Sequence, residues 1–145
     1  MSREADLEEL YEGLMLLVRR SRERSAEFHP GLTLVAYTLL GQIGARSGTR
    51  ASDLASTYGL DKSTISRQID QLEKAGLLRR IGEQPGRRGQ GLELTAAGAA
   101  ALSEAARSVR ATLVKSLVEW DDKKLKSFAL MLKRFNEQVS NIEPE

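Results

Sequence analysis

Apolar and polar positions divide the chain into stretches of different period. Leu7, Leu10, Tyr11, Leu14, Leu17 and Val18 recur at three- and four-residue spacing, which predicts an amphipathic helix across "LEELYEGLMLLVRRSRERSAEF" that ends before Pro30 and Gly31. The next stretch, "LTLVAYTLLGQIGA", is apolar almost all round and predicts a buried central helix. A short helix of about two turns follows, with Thr49 as expected N-cap, Leu54 and Ala55 facing inward, and Gly59 with Leu60 as its C-terminal cap. Asp61 stands before another helix, placed to accept from the amides of Ser63 or Thr64. Ile65, Ile69 and Leu72 form the buried stripe of that helix, and Gly76 with Leu77 closes it as Gly59 and Leu60 close the one before. Two helices joined by a tight glycine turn make a helix-turn-helix.

The period then changes. "LLRRI" and "GLELT" read as strands of a hairpin, the second placing Leu92 and Leu94 on one face, and the intervening "GEQPGRRGQG" is longer than a tight hairpin needs. Thr95 is placed to cap an Ala-rich helix running through Leu102, Val109, Leu113 and Leu117. After Trp120, a last amphipathic helix starts near Asp121 and carries Leu125, Phe128, Leu132, Phe135 and Val139. The expected class is mainly α with a small β-hairpin.

Composition and charge narrow the function. At 145 residues and 41% hydrophobic content, one domain is expected. The absence of cysteine excludes disulfides and thiolate metal sites, and one histidine cannot build a metal cage, so no metal and no cofactor are expected. No apolar run reaches the length needed to cross a bilayer, and the charged start "MSREADLEEL" is unlike a secretory signal; a soluble, cytoplasmic protein without membrane contact is expected. The net charge is only +2, but between Arg46 and Arg88 nine Lys or Arg stand against five Asp or Glu. The basic surface therefore belongs to the middle segment.

The helix after Asp61 presents Ser63, Arg67, Asp70 and Lys74 opposite its apolar stripe, flanked by Thr64, Ser66 and Gln71. An arginine able to grip a guanine edge and short hydroxyls that reach bases or phosphates are what a major-groove reader requires. A solvated helix face is polar too, and the helix alone does not separate these readings. The loop does: Arg87 and Arg88, between Gly86 and Gly89 on a projecting hairpin, stand where a minor-groove finger belongs if the helix fills the neighbouring major groove. Gly86, Gly89 and Gly91 also raise the idea of a phosphate cradle, but a strand rather than a helix follows them. No serine, histidine and acid arrangement supports an enzyme.

"GLDKSTISRQIDQLEKAGLLRRIGEQPGRRGQGLELTAAG" resembles the recognition helix and wing of the MarR family of bacterial winged-helix regulators. The resemblance rests on Ser63 and Thr64; Leu72, Glu73, Gly76 and Leu77; Arg87 and Arg88; Leu92, Leu94 and Thr95; and Gly98. One departure is Gly86, where the family usually has an acidic residue that steadies the wing. The resemblance implies a winged helix-turn-helix over residues 31–97 and an obligate homodimer whose N- and C-terminal helices, 1–30 and 98–145, interlock as the dimerisation region. The apolar faces of the first, fifth and sixth helices exceed what a small core covers, which agrees with that dimer.

The implied function is a sequence-specific regulator of transcription, a repressor, binding a pseudo-palindromic operator in double-stranded DNA. Ser63, Thr64, Ser66 and Arg67 are expected in the major groove, Arg87 and Arg88 in the minor groove, and Arg50, Lys62 and Arg79 on phosphates. The family's usual effector is a small phenolic or anionic ligand, for which Arg19, His29 and Tyr37 are the candidate cleft residues. The alternative is a winged helix used for protein contacts, its basic face meeting an acidic partner.

Overall fold

The computed structural model describes residues 2–24, 31–83 and 89–141. Two compact units divide the chain, residues 1–109 and 110–145. The elements are α1 (Arg3–Glu23), α2 (Leu34–Ala45), α3 (Ala51–Tyr58), α4 (Lys62–Lys74), β1 (Leu78–Glu83), β2 (Gln90–Leu94), α5 (Ala96–Ser116) and α6 (Asp122–Ser140). The order and the mainly helical class with one antiparallel hairpin agree with the pattern in the sequence.

The core of the first unit assembles from the apolar stripes of successive elements. Ala36, Leu39, Leu40 and Ile43 from α2, Leu54 and Ala55 from α3, and Ile65, Ile69 and Leu72 from α4 meet Leu78 of β1, Leu92 of β2 and Ala105 of α5. Leu39, Leu40, Leu54, Ile65, Ile69 and Leu92 are fully enclosed. Each such side chain contributes on the order of 1.5–3 kcal/mol by leaving water, so this cluster holds α3 and α4, which are too short to persist alone.

The helix ends follow the sequence closely. Gly59 and Gly76 adopt left-handed backbone (φ 60° and 74°), and the amides of Leu60 and Leu77 reach back to the carbonyls of Ala55 and Leu72. A side chain is strained in that conformation, which is why glycine stands at both turns. Asp61 caps α4 by accepting from the Thr64 amide at 2.7 Å, and Asp121 caps α6 through the Lys124 amide at 2.8 Å. α1 begins at Arg3, earlier than the apolar pattern suggested, because Ser2 accepts from the Ala5 amide. It closes at Glu23, short of Phe28, which lies with His29 outside the described residues.

Thr49 is not the N-cap of α3. Arg50 holds that position, and the Asp53 carboxylate accepts from the Arg50 amide at 3.0 Å. Thr49 is instead buried and pairs with β2: the Leu92 amide donates to the Thr49 carbonyl and the Gly48 amide to the Leu92 carbonyl, both at 2.9 Å. Its hydroxyl donates to the Arg46 carbonyl. The Thr49 carbonyl, which an N-cap would offer to the first turn, is taken by Leu92, and its hydroxyl turns back to Arg46 rather than to the amides of α3.

The hairpin pairs Leu78 with Leu94, Arg79 with Glu93, Arg80 with Leu92 and Ile81 with Gly91, then shifts register to pair Glu83 with Gln90. Its strands run further toward the tip than "LLRRI" and "GLELT" indicated. Behind it, Thr95 ties the segments together: its hydroxyl accepts from the Gly98 amide at 3.0 Å and donates to the Gly76 carbonyl, and its own amide donates to Leu77 at 3.2 Å.

Candidate nucleic-acid interface

The site is built on α4. Because Ile65, Ile69 and Leu72 anchor one face in the core, Lys62, Ser63, Ser66 and Arg67 are turned to solvent, while Thr64 is half-buried. The start of the helix is electrostatically tuned. Hydrogen bonding from Thr64, through its hydroxyl and then its amide, holds the Asp61 carboxyl below its ordinary value of 3.8; the Ser63 hydroxyl and the Arg67 charge add to the effect. The side chains that cap the helix are therefore neighbours of those expected to read DNA.

Arg50, Lys62, Ser66 and Arg80 line one cleft of about 460 Å³, together with Ala51, Ser52, Gly89 and Gln90. Arg50, Lys62 and Arg80 stand around an open hollow between α3, α4 and the hairpin, with Arg50 beside Asp53 and Arg80 held by Asp70 and Glu73, so the hollow offers a phosphate cations whose charge is partly balanced already. Arg50 also lies 3.5 Å from Asp53, whose carboxyl is held below its ordinary value first by the Arg50 amide and further by the Arg50 guanidinium.

Of the phosphate candidates, Arg50 and Lys62 are thus brought together. Arg79 is not in the cleft: it faces its cross-strand partner Glu93, forming an ion pair on the exposed hairpin surface. Arg80 and Gln90 are cleft residues beyond those expected from the sequence. The signal for Arg80 was its position two residues after the buried Leu78, which on a strand puts it on the face turned toward α4. Arg87 and Arg88 lie outside the described residues, as does Gly86.

The effector candidates are dispersed. Arg19 is exposed on α1 and lies 3.9 Å from Glu23. Tyr37 is half-buried against the core on α2. His29 lies outside the described residues. A second, polar cleft of about 250 Å³ is lined by Gln42, Arg46, Thr49, Asp53, Ser56 and Thr57, and a groove along α6 runs past Leu132, Asn136 and Ser140. Arg19 and Tyr37 line none of these three hollows. Among the described residues no cluster of His, Asp and Glu is arranged to hold a metal ion, and no helix is long and apolar enough to cross a membrane.

Comparison with known proteins places this geometry. Residues 31–89 match the MarR family model, a range that includes α2, the two helices of the helix-turn-helix and β1. No curated protein matches the chain. Among solved structures, the chain is similar to a crystal structure of MarR (24% identity, TM-score 0.79, covering 92% of this chain and 98% of that one). It is also similar to a MarR family protein from Bacillus stearothermophilus (17% identity, TM-score 0.85, covering 97% and 100%). A third similar structure is FabT from Streptococcus pneumoniae in complex with DNA (14% identity, TM-score 0.77, covering 94% and 99%). At these identities the likeness establishes the fold, which is the winged helix of MarR-family transcription regulators.

Proposed function

We propose that this chain, built on the MarR-family winged helix that its residues 31–89 match, is a homodimeric repressor that recognises a pseudo-palindromic site in double-stranded DNA. The observation that carries the reading is the convergence of the exposed start of α4 with the cationic cleft of Arg50, Lys62 and Arg80. With α4 in a major groove, Arg67 grips a base edge and Ser63, Thr64 and Ser66 contact bases or the adjoining backbone. Arg50 and Lys62 hold phosphates, and Arg79 reaches a further one from the hairpin. Arg87 and Arg88 enter the neighbouring minor groove. The work is binding, with no turnover.

Two observations support the dimer. α1 buries none of its residues, leaving Leu7, Leu10, Tyr11, Leu17 and Val18 exposed. α6 buries none either, with Leu125, Phe128 and Leu132 at least 40% exposed, so both helices carry apolar faces that a second copy would cover. In this reading residues 1–30 and 98–145 form the dimerisation region and 31–97 the DNA-binding region. Two copies place two α4 helices on half-sites about one turn of DNA apart, roughly 10 base pairs. A small phenolic or anionic effector releases the DNA by binding better to a spacing of the two lobes that does not fit the operator, with Arg19, His29 and Tyr37 as its candidate contacts.

The test is substitution on a duplex that the protein selects. Arg67→Ala should relax preference at one base position per half-site and cost roughly 10- to 100-fold in affinity. Arg87→Ala with Arg88→Ala should lower affinity while the protein stays folded and dimeric. Unchanged preference in Arg67→Ala, or unchanged affinity in the Arg87 and Arg88 variant, would contradict the assignment.

A further inference from the structure

We propose that Arg80 is a positioning residue that braces the hairpin against α4, setting the angle at which the wing leaves the helix. This rests on the DNA-binding reading above and adds to it a device that couples the two contact elements. Nη2 of Arg80 donates to Oδ1 of Asp70 at 2.8 Å, and its Nε lies 3.3 Å from Oε2 of Glu73. The two carboxylates are three residues apart on α4, hence neighbours on one side of the helix, and one guanidinium spans both. A fork held at two points fixes orientation as well as distance, which a lysine ammonium cannot do.

The position matters. Leu78 and Leu92 bury the base of the hairpin in the core, whereas Ile81 is only half-buried and the register shifts just after it. Arg80 therefore forms its ion pairs to α4 one residue before Ile81, after which the strand departs from regular pairing. Its side chain is 32% exposed, against 68% for Arg79 next to it. The same guanidinium lines the cleft with Arg50, Lys62 and Ser66, so the brace sits against the surface proposed to meet phosphates.

Electrostatics and bracing predict different outcomes for the acidic members. Asp70 and Glu73 repel phosphates, so neutralising them should strengthen binding to any duplex by Coulomb's law alone. A brace predicts that the same change weakens discrimination, because the wing and helix no longer hold one relative angle.

The experiment compares wild type, Arg80→Gln, Arg80→Lys and the double variant Asp70→Asn with Glu73→Gln. Two quantities are read: hydrogen exchange of the β1 and β2 amides in the free protein, and the ratio of affinity for the selected duplex to that for a scrambled one. Both variants of Arg80 and the double variant should speed exchange in the hairpin by about 3- to 10-fold, the range expected for two partly exposed ion pairs, and lower the ratio by a similar factor. The slope of affinity against salt should stay as in wild type in Arg80→Lys. Unchanged hairpin exchange would overturn the brace, whatever happens with DNA. Faster exchange with an unchanged affinity ratio would overturn its positioning role. If wild type itself selects no duplex while the exchange responds as stated, the brace stands and the DNA-binding reading fails.

Discussion

Replacing Gly98 with alanine tests the packing that joins the helix-turn-helix to α5. A Cβ at this position would stand 1.8 Å from the Leu77 carbonyl oxygen and 2.8 Å from its carbon, both backbone atoms. Real Cβ contacts essentially never fall below 3.0 Å, so the start of α5 and the turn after α4 must separate by at least about 1.2 Å, the difference between 3.0 and 1.8. Overpacking of this kind costs roughly 1–3 kcal/mol. The separation also stretches two hydrogen bonds, from the Thr95 amide to Leu77 and from the Thr95 hydroxyl to Gly76, each worth about 1 kcal/mol. Alanine's better helix propensity returns about 1 kcal/mol, leaving a net loss of about 2–4 kcal/mol. Urea unfolding followed by far-ultraviolet circular dichroism, at one fixed protomer concentration, measures it. Gly41 in α2 is the control, since a Cβ there meets nothing within 4 Å and alanine should be neutral or stabilising by up to about 1 kcal/mol. A Gly98→Ala protein as stable as wild type would mean that the close approach of Gly98 to the Leu77 carbonyl does not limit packing there.

Thr95→Val keeps the shape but removes the hydroxyl that accepts from Gly98 and donates to Gly76, and should cost about 1–2 kcal/mol in the same assay. The carboxyls of Asp53 and Asp61 are both held below their ordinary value of 3.8 in the folded protein, so the stability they contribute is complete above about pH 4 and is lost as pH falls through the folded values. Asp61→Asn should therefore lie furthest below wild type near neutral pH and converge with it in acid; a constant gap in chemical denaturation across pH would contradict the cap assignment. Lys62→Ala should reduce the slope of log affinity against log salt by about 1.8 for a dimer, two phosphates at about 0.9 each, without changing the preferred sequence. Leu10→Glu on the exposed face of α1 should weaken the dimer at least about tenfold in sedimentation equilibrium, whereas an unaltered mass would remove that face from the interface.

Much of the fold was legible because its periods are clean. Ile65, Ile69 and Leu72 announced the buried side of α4 and thereby its exposed one, and the Gly59–Leu60 and Gly76–Leu77 pairs marked helix ends that the backbone confirms. Thr49 departs from expectation because a threonine before a helix is ordinarily a cap, while its pairing with Leu92 depends on a residue more than forty positions away and leaves no local pattern. The requirement for Gly98 is equally invisible locally, since a glycine inside a helix signals nothing until the Leu77 carbonyl is seen beside it. At the candidate interface, Ser63, Ser66 and Arg67 could be read from helix periodicity. The meeting of Arg50 with Arg80 and Lys62 could not, because it depends on how the hairpin is set against α3 and α4. The clustering of basic residues between Arg46 and Arg88 showed where to look without saying which cations share a cleft.

DNA recognition is tested most directly by selection of preferred sequences from a random duplex pool by the 145-residue chain, followed by titration of the best duplex at two salt concentrations. Recognition by a two-fold dimer predicts enrichment of an inverted repeat with half-sites about 10 base pairs apart, and an affinity that falls steeply as salt rises. Tight binding with no enriched motif would contradict sequence-specific recognition through α4, and absence of duplex binding at low salt would contradict the DNA-binding reading altogether.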